Sequence, residues 1–420
     1  MAAARLQRAA ISMQIPVTML RAPGPDWRGG PYANQWRRGT SRVVSGDRVG
    51  RRKYLNEGLD EILYEKRWHK IAPPVPAVPS HDGLRVKAIE VWGMPTTAPR
   101  PNGMLIVHLA IDPSVNVLEA INQVVNHNPS HGGPMREWLN VIVSPWARVL
   151  SSHRRAQHVS LVTSSAEIMP DTPLTKVGDK INGHNLWLTS LIASGRYGPD
   201  VDMMTGAGVF VAMSNRIRGL VGRNGIGLVG LLPDNGESSG EQGFDYGGLE
   251  FFAEGLYTDT LLLAQLQRVL LGELRDELTD AMSRGATKDD LQKLERRLLE
   301  FRRQYWRTDF APQGSQDDFL VAYHSTNSLP GQLDEFASQL SEYASQVQRV
   351  EQELTNAVLG IIAIIGLPFT VMIAIWDGIG NESVFQLPCA LMIASILSGA
   401  IFAFPGGRAI LKPLLRRKRA

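Results

Sequence analysis

Ala357–Trp376, AVLGIIAIIGLPFTVMIAIW, and Leu387–Phe404, LPCALMIASILSGAIFAF, are two apolar runs without a single charge, joined by the short segment Asp377–Gln386. A helix rises 1.5 Å per residue, so roughly 20 such residues cross ~30 Å of hydrocarbon. Only helices and closed barrels satisfy every backbone group in lipid, and the pair therefore reads as a transmembrane hairpin. It comprises a first span at 357–376, an outer loop at 377–386 and a second span at 387–404. The alternative is a pair of core helices in a soluble protein. Residues 405–420 contribute Arg408, Lys412, Arg416, Arg417, Lys418 and Arg419 with no acid, whereas the loop holds Asp377 and Glu382 and no base. The positive-inside bias then keeps this tail in the cytoplasm of a cell membrane, and two passes place the N-terminal part there too.

Working back from the first span, Leu333, Phe336, Leu340, Tyr343, Val347, Val350 and Leu354 recur at alternating steps of three and four. This is a heptad seam, and it enters the apolar run without a Gly or Pro between Gln332 and Leu359. One helix is expected from Gly331 to Ile375, a stalk at 331–356 continuous with the first span. An apolar stripe in water needs a partner, either the chain's own helices or the same helix of neighbouring copies.

Leu359-Gly360-Ile361-Ile362-Ala363-Ile364-Ile365-Gly366-Leu367-Pro368-Phe369-Thr370, followed by Ile375-Trp376, resembles the first span of CorA-type divalent-cation transporters. The stalk before it, the short loop, the second span and the basic tail are similar as well. Where that family carries Gly-Met-Asn, this chain has Asp377-Gly378-Ile379. The resemblance implies a homopentameric funnel in the bilayer whose first span lines a pore through Glu353, Asn356, Leu359, Ala363, Leu367, Thr370, Ala374 and Asp377. These positions share one helical stripe by spacing alone. Small Ala and Thr let helices approach closely, Leu359 and Leu367 would gate by dewetting, and a ring of Asp377 would attract cations. The plainer reading of Asp377 is a solvated helix end. Pro368 removes one backbone bond and predicts a kink, while Gly360 and Gly366 serve close packing.

The whole chain has 420 residues, a formal charge of +3 and 44% hydrophobic residues, enough for a sizeable soluble part besides the hairpin. Its one cysteine, Cys389, falls in the second span, so neither a disulfide framework nor a thiol metal site is expected. Residues 1–80 read as a basic, disordered tail closed by the Pro-rich linker around Pro73, Pro74, Pro76 and Pro79. Its acid-poor opening has some organelle-transit character but no secretory h-region.

Residues 81–256 carry an α/β pattern. Val86–Trp92, Met104–Ile111, Val209–Met213 and Ile226–Leu232 read as strands, and Arg136–Val143 and His158–Thr163 as further elements. Ser114 is placed to cap a helix over Val117–Asn126, and Asn185–Ser194 is ambiguous. Residues 257–330 read as antiparallel cytoplasmic helices: Tyr257–Ser283, ended by Gly285, then Lys288–Trp306, capped by Thr287. The fold class expected is α+β with a membrane part: a cytoplasmic α/β sandwich, a helical coiled stalk and a two-helix transmembrane hairpin.

Several features invite a chemical reading. Gly225, Gly227 and Gly230 fit G-x-G-x-x-G but lie inside a strand-like run, not in the turn that opens a helix. His127 and His131 are separated by Pro129, which favours a loop over a metal pair. The acidic stretch Asp234–Asp245 lacks calcium-loop spacing, although the resemblance allows a regulatory cation site between protomers. Arg296, Arg297, Arg302 and Arg303 alternate with acids, as a solvated helix face does, so no nucleic-acid partner is expected. No catalytic constellation stands out and no cofactor is called for, apart from a divalent cation as cargo or regulator. Two functions follow: a CorA-like transporter of divalent, magnesium-like cations working as a homopentamer, or a membrane-anchored interaction or signalling protein on that scaffold without selective transport.

Overall fold

The computed structural model describes residues 8–38, 42–73, 75, 78, 83–96, 102–112, 120, 124, 134–150, 156–163, 208–214, 216–230, 245–312, 314–379 and 392. The chain divides into two compact units, Met1–Arg275 with Leu298–Asp334, and Asp276–Arg297 with Glu335–Ala420. The expected helix at 117–126 (bar Ala120 and Val124), Asn185–Ser194, His127, His131, most of the acidic stretch, and the second span and tail (bar Met392) lie outside the described residues.

The first unit is built on a mixed sheet. Its strands are β1 (Ala9–Met19), β2 (Arg28–Gly29), β5 (Arg67–Ile71), β6 (Leu84–Gly93), β7 (Gly103–Ile111), β8 (Ala147–Val149), β9 (Gln157–Thr163), β10 (Val209–Ser214), β11 (Ile217–Gly222) and β12 (Gly225–Gly230). The order is β10-β11-β12-β9-β1-β7-β6-β5-β2, with β8 also on β1, while β3 (Gln35–Arg38) and β4 (Arg42–Ser45) form a separate hairpin. All pairings are antiparallel except β12 on β9. Among the described residues, four short helices precede the long ones: α1 (Arg48–Arg52), α2 (Leu59–Tyr64), α3 (Pro134–Val143) and α4 (Gly247–Phe252).

The described part of the expected tail holds a central strand instead, since β1 lies between β7 on one side and β9 and β8 on the other. Alternation explains its place. Ile11, Met13, Ile15 and Val17 enter one apolar core with Leu105, Val107 and Leu109 of β7 and Ile89 and Val91 of β6. Met135, Trp138, Leu139 and Val143 of α3 close that core. Pro16, which a central strand ordinarily excludes, sits in a gap. β9 pairs with β1 only as far as Gln14, β8 starts at Val17, and the Pro16 carbonyl accepts from Leu150 N at 3.4 Å on that same side. The missing N–H is thus aimed where no ladder bond is due.

A π-helical turn at Ala253–Tyr257 leads into α5 (Thr258–Arg284), followed by α6 (Lys288–Glu300), a second π turn at Phe301–Tyr305, α7 (Gln316–Thr326) and α8 (Leu329–Ile379). Gly285 takes a positive φ of 68° where α5 ends, and Thr287 and Asp290 exchange the hydrogen bonds of a capping box at the start of α6. In the second unit Leu278, Leu291, Leu294, Phe336 and Leu340 are buried, and Arg297 pairs with Glu277.

The helix expected over Gly331–Ile375 is α8, 51 residues long, and it continues through Asp377, Gly378 and Ile379, the start of the expected outer loop. Beyond Gly360 its described side chains are those of Ile362, Ala363, Gly366, Thr370 and Ile373. Among the described residues no helix is long and apolar enough to cross a membrane.

The core carries a first prediction. Leu109 is fully buried at the centre of the sheet, and Leu109→Ala is expected to cost about 2–5 kcal/mol of unfolding free energy, read by denaturant titration.

Candidate functional site

The stripe of α8 is one candidate site. Glu353, Asn356, Leu359, Ala363 and Thr370 all lie on this helix and are exposed. Leu367, Ala374 and Asp377 are in the same helix, with side chains outside the described residues. Val358, Leu359, Ile362 and Ile373 are large apolar side chains left in the open.

A second constellation, which the sequence reading missed, occupies the other face of the sheet. Because β1, β6 and β7 alternate, their non-core positions bring together Ser12, Gln14, Glu90 and His108, and β5 adds Arg67. Arg67 clamps Glu90 in bidentate fashion, Nε to Oε2 at 2.7 Å and Nη2 to Oε1 at 2.9 Å, and sends Nη1 to Asp259 Oδ1 at 2.6 Å. Asp259 stands in the first turn of α5. Its Oδ2 accepts from Arg51 Nη1 at 2.9 Å and from the Tyr64 hydroxyl at 2.7 Å.

Helix α1 delivers Arg51 because Asp47 caps it, its Oδ1 accepting from Gly50 N at 2.7 Å. Arg51 then donates Nε to the Gly46 carbonyl and Nη2 to the Tyr32 carbonyl, each at 2.6 Å. Tyr32 N returns a bond to Glu90 Oε2 at 2.8 Å, and Gln14 Nε2 reaches the Thr258 carbonyl at 2.8 Å.

The electrostatics follow from closure. Two guanidinium groups face two carboxylates, all within a few per cent of full burial. Burial by itself would raise the Glu90 pKa, but Arg67 and the hydrogen bond from His108 reverse it and hold the carboxyl well below the usual carboxylate range. Burial and the Asp259 charge push the Tyr64 phenol well up, so it stays a donor. On the flank, Lys87 pairs with Glu250 and Glu254. Burial would lower its pKa, but those carboxylates raise it.

The same face holds a Ser–His–Glu arrangement. Glu90 accepts from His108 Nε2 at 2.7 Å, leaving Nδ1 to accept from the Ser12 hydroxyl at 2.8 Å. Three facts turn it away from nucleophilic catalysis. Ser12 is 2% exposed, it stands in mid-strand between β7 and β9, and Glu90 is already neutralised by Arg67. The arrangement can lock the helical layer onto the sheet, but it offers no room for a substrate.

Gly225, Gly227 and Gly230 lie in β12. Gly225 has a φ of 134° with His158 against it, and Gly230 sits under the Tyr246 ring, so both answer packing rather than a phosphate. Among the described residues no group of three or more His, Cys, Asp or Glu could hold a metal ion. No protein-family model, curated protein or solved structure matches the chain.

Asp259→Asn leaves Arg51 and Arg67 short of a buried counter-charge and should cost about 3–5 kcal/mol of stability. The pH dependence has a definite sign. Glu90 has a folded pKa below its unfolded value of about 4.3, so its contribution is complete above that value and is lost as pH falls through the lower, folded pKa. Denaturant titrations between pH 6 and 3 should show stability falling toward acid, with a shallower fall in Glu90→Gln.

Proposed function

We propose that this chain is an integral membrane protein of CorA-like organisation that passes divalent, magnesium-like cations through a homopentameric pore. Its termini would be cytoplasmic and its hairpin would span 357–376 and 387–404. The observation that carries the reading is the continuity of α8 from Leu329 to Ile379, polar at its start and charge-free over 357–376. Asn356, Ala363, Thr370 and Asp377 follow one another at intervals of seven along it. Twenty-one residues of helix rise ~31 Å, about the thickness of a hydrocarbon core, so the two polar ends of this stripe would sit at its two faces. A strict seven-residue period also favours a left-handed supercoil, which keeps such a stripe turned to one axis over its length.

The second reading is a membrane-anchored interaction protein on the same scaffold. It is favoured by one observation, Asp377-Gly378-Ile379 in place of Gly-Met-Asn.

Reconstituted vesicles discriminate the two. Magnesium flux down an imposed gradient is expected in wild type, and Asp377→Ala should reduce it about tenfold, the effect of ~1.4 kcal/mol less attraction at the mouth. Mass photometry should count five copies per particle. Absence of wild-type flux, or flux untouched by both Asp377→Ala and Asn356→Ala, would favour the anchored protein instead.

A further inference from the structure

At the rim of the apolar core in the first unit lies a cleft of about 510 Å³, a size that suits a small molecule. Its lining mixes apolar and polar groups. Ile89 comes from β6, the exposed Val141 and the partly buried Ile142 from the last turn of α3, and Trp146 from the turn after that helix. Trp27 closes one side, meeting Trp146 edge to face at 5.2 Å and 76°.

Two cations border this volume. Lys70 of β5 stands 3.8 Å from Asp26, a carboxylate 80% exposed and therefore a weak partner. Arg21 spends its backbone N–H on the Trp146 carbonyl, and its guanidinium has no partner among the described residues. The charge at the cleft is thus positive by one.

The surroundings repeat the combination. Val141 is 62% exposed at the cleft itself. A large apolar side chain is therefore left in the open at the cleft, next to the two cations. A cation ligand is disfavoured by Arg21 and Lys70, and a neutral one would leave them unused.

We infer that this cleft binds a small aromatic monoanion, its ring against Trp27, Val141 and Ile142 and its carboxylate or sulfonate toward Arg21 and Lys70. Aromatic packing supplies affinity and the pair of cations selects charge. The site is independent of what α8 does.

The test uses the purified full chain with 4-phenylbutyrate as probe and its neutral amide as control, followed by isothermal titration calorimetry and saturation-transfer NMR. The carboxylate should bind at least about tenfold tighter than the amide, a difference of ~1.4 kcal/mol. Arg21→Glu should abolish that preference, and Val141→Trp, which fills the cleft from an exposed position, should abolish binding of both. Both substitutions are on the surface, so unchanged thermal melting shows that the fold is kept. Equal affinity for acid and amide, no binding of either, or carboxylate binding unaltered in both variants would overturn the assignment.

Discussion

Asp259 is a carboxylate with essentially no contact with water, held between two arginines, and the arrangement of the first unit follows from that constraint. An ion in such surroundings is tolerated only if every lone pair is met. Meeting them fixes four pieces of chain at once: α1 through Arg51, α2 through Tyr64, β5 through Arg67, and α5, which carries Asp259 itself. Glu90 then takes two further donors of Arg67 and passes the chain of bonds to His108 and Ser12. The apolar face of the sheet could accept any well-filled helix, but the polar face accepts one arrangement. Specificity of register is the natural role of such a cluster, since apolar side chains of equal volume would serve stability as well.

That argument also separates geometry from function. Ser12, His108 and Glu90 have the distances of a hydrolytic triad, and distance is the wrong criterion here. A nucleophile must meet a substrate, and Ser12 lies in a strand paired on both sides under a helical layer. A general base needs a carboxylate free to stabilise its imidazolium, whereas Glu90 is committed to a bidentate arginine. Burial and prior pairing outrank the hydrogen-bond pattern.

The parts of this fold that were legible were those whose signal is local. β7 announced itself as a nearly all-apolar run and β6 by apolar residues interrupted at Lys87 and Glu90, α5 and α6 by leucines at helical spacing with Gly285 and Thr287 between them, and α8 by its heptads. β1 was hidden for two reasons. It lies in an Arg-rich, acid-poor segment whose composition suggests disorder, and Pro16 breaks its strand signature. Only the pairing gap between β9 and β8 makes that proline admissible, and no local rule foresees a gap. The buried cluster was out of reach on principle. Arg51 and Asp259 are 208 residues apart and Ser12 and His108 are 96 apart, so no spacing connects them. The signal that existed was compositional: an acid, Glu90, and a histidine, His108, inside otherwise apolar strands. A charged residue within such a run requires a partner from elsewhere.

α8 poses the complementary problem, for there the apolar side chains are the ones without partners. Leu359, Ile362 and Ile373 are each more than half exposed, and leaving a side chain of this size in water forgoes about 1.5–3 kcal/mol relative to burial. At 100° per residue Ile362 and Ile373 lie together, roughly 90° from the centre of Asn356, Ala363 and Thr370, with Leu359 between the two groups. A helix buried on all sides would not keep a stripe of small and polar residues beside a bulky apolar one. In the reading proposed above, two neighbouring stripes of opposite character would meet two different neighbours, an aqueous lumen on one side and lipid or a sister helix on the other. The seam of Tyr343, Val347, Val350 and Leu354, half-buried or exposed below that point, makes the same demand in water, where only protein can answer it. The two demands fall on one uninterrupted helix, so an assembly that satisfies the lower half sets the spacing of the upper half as well.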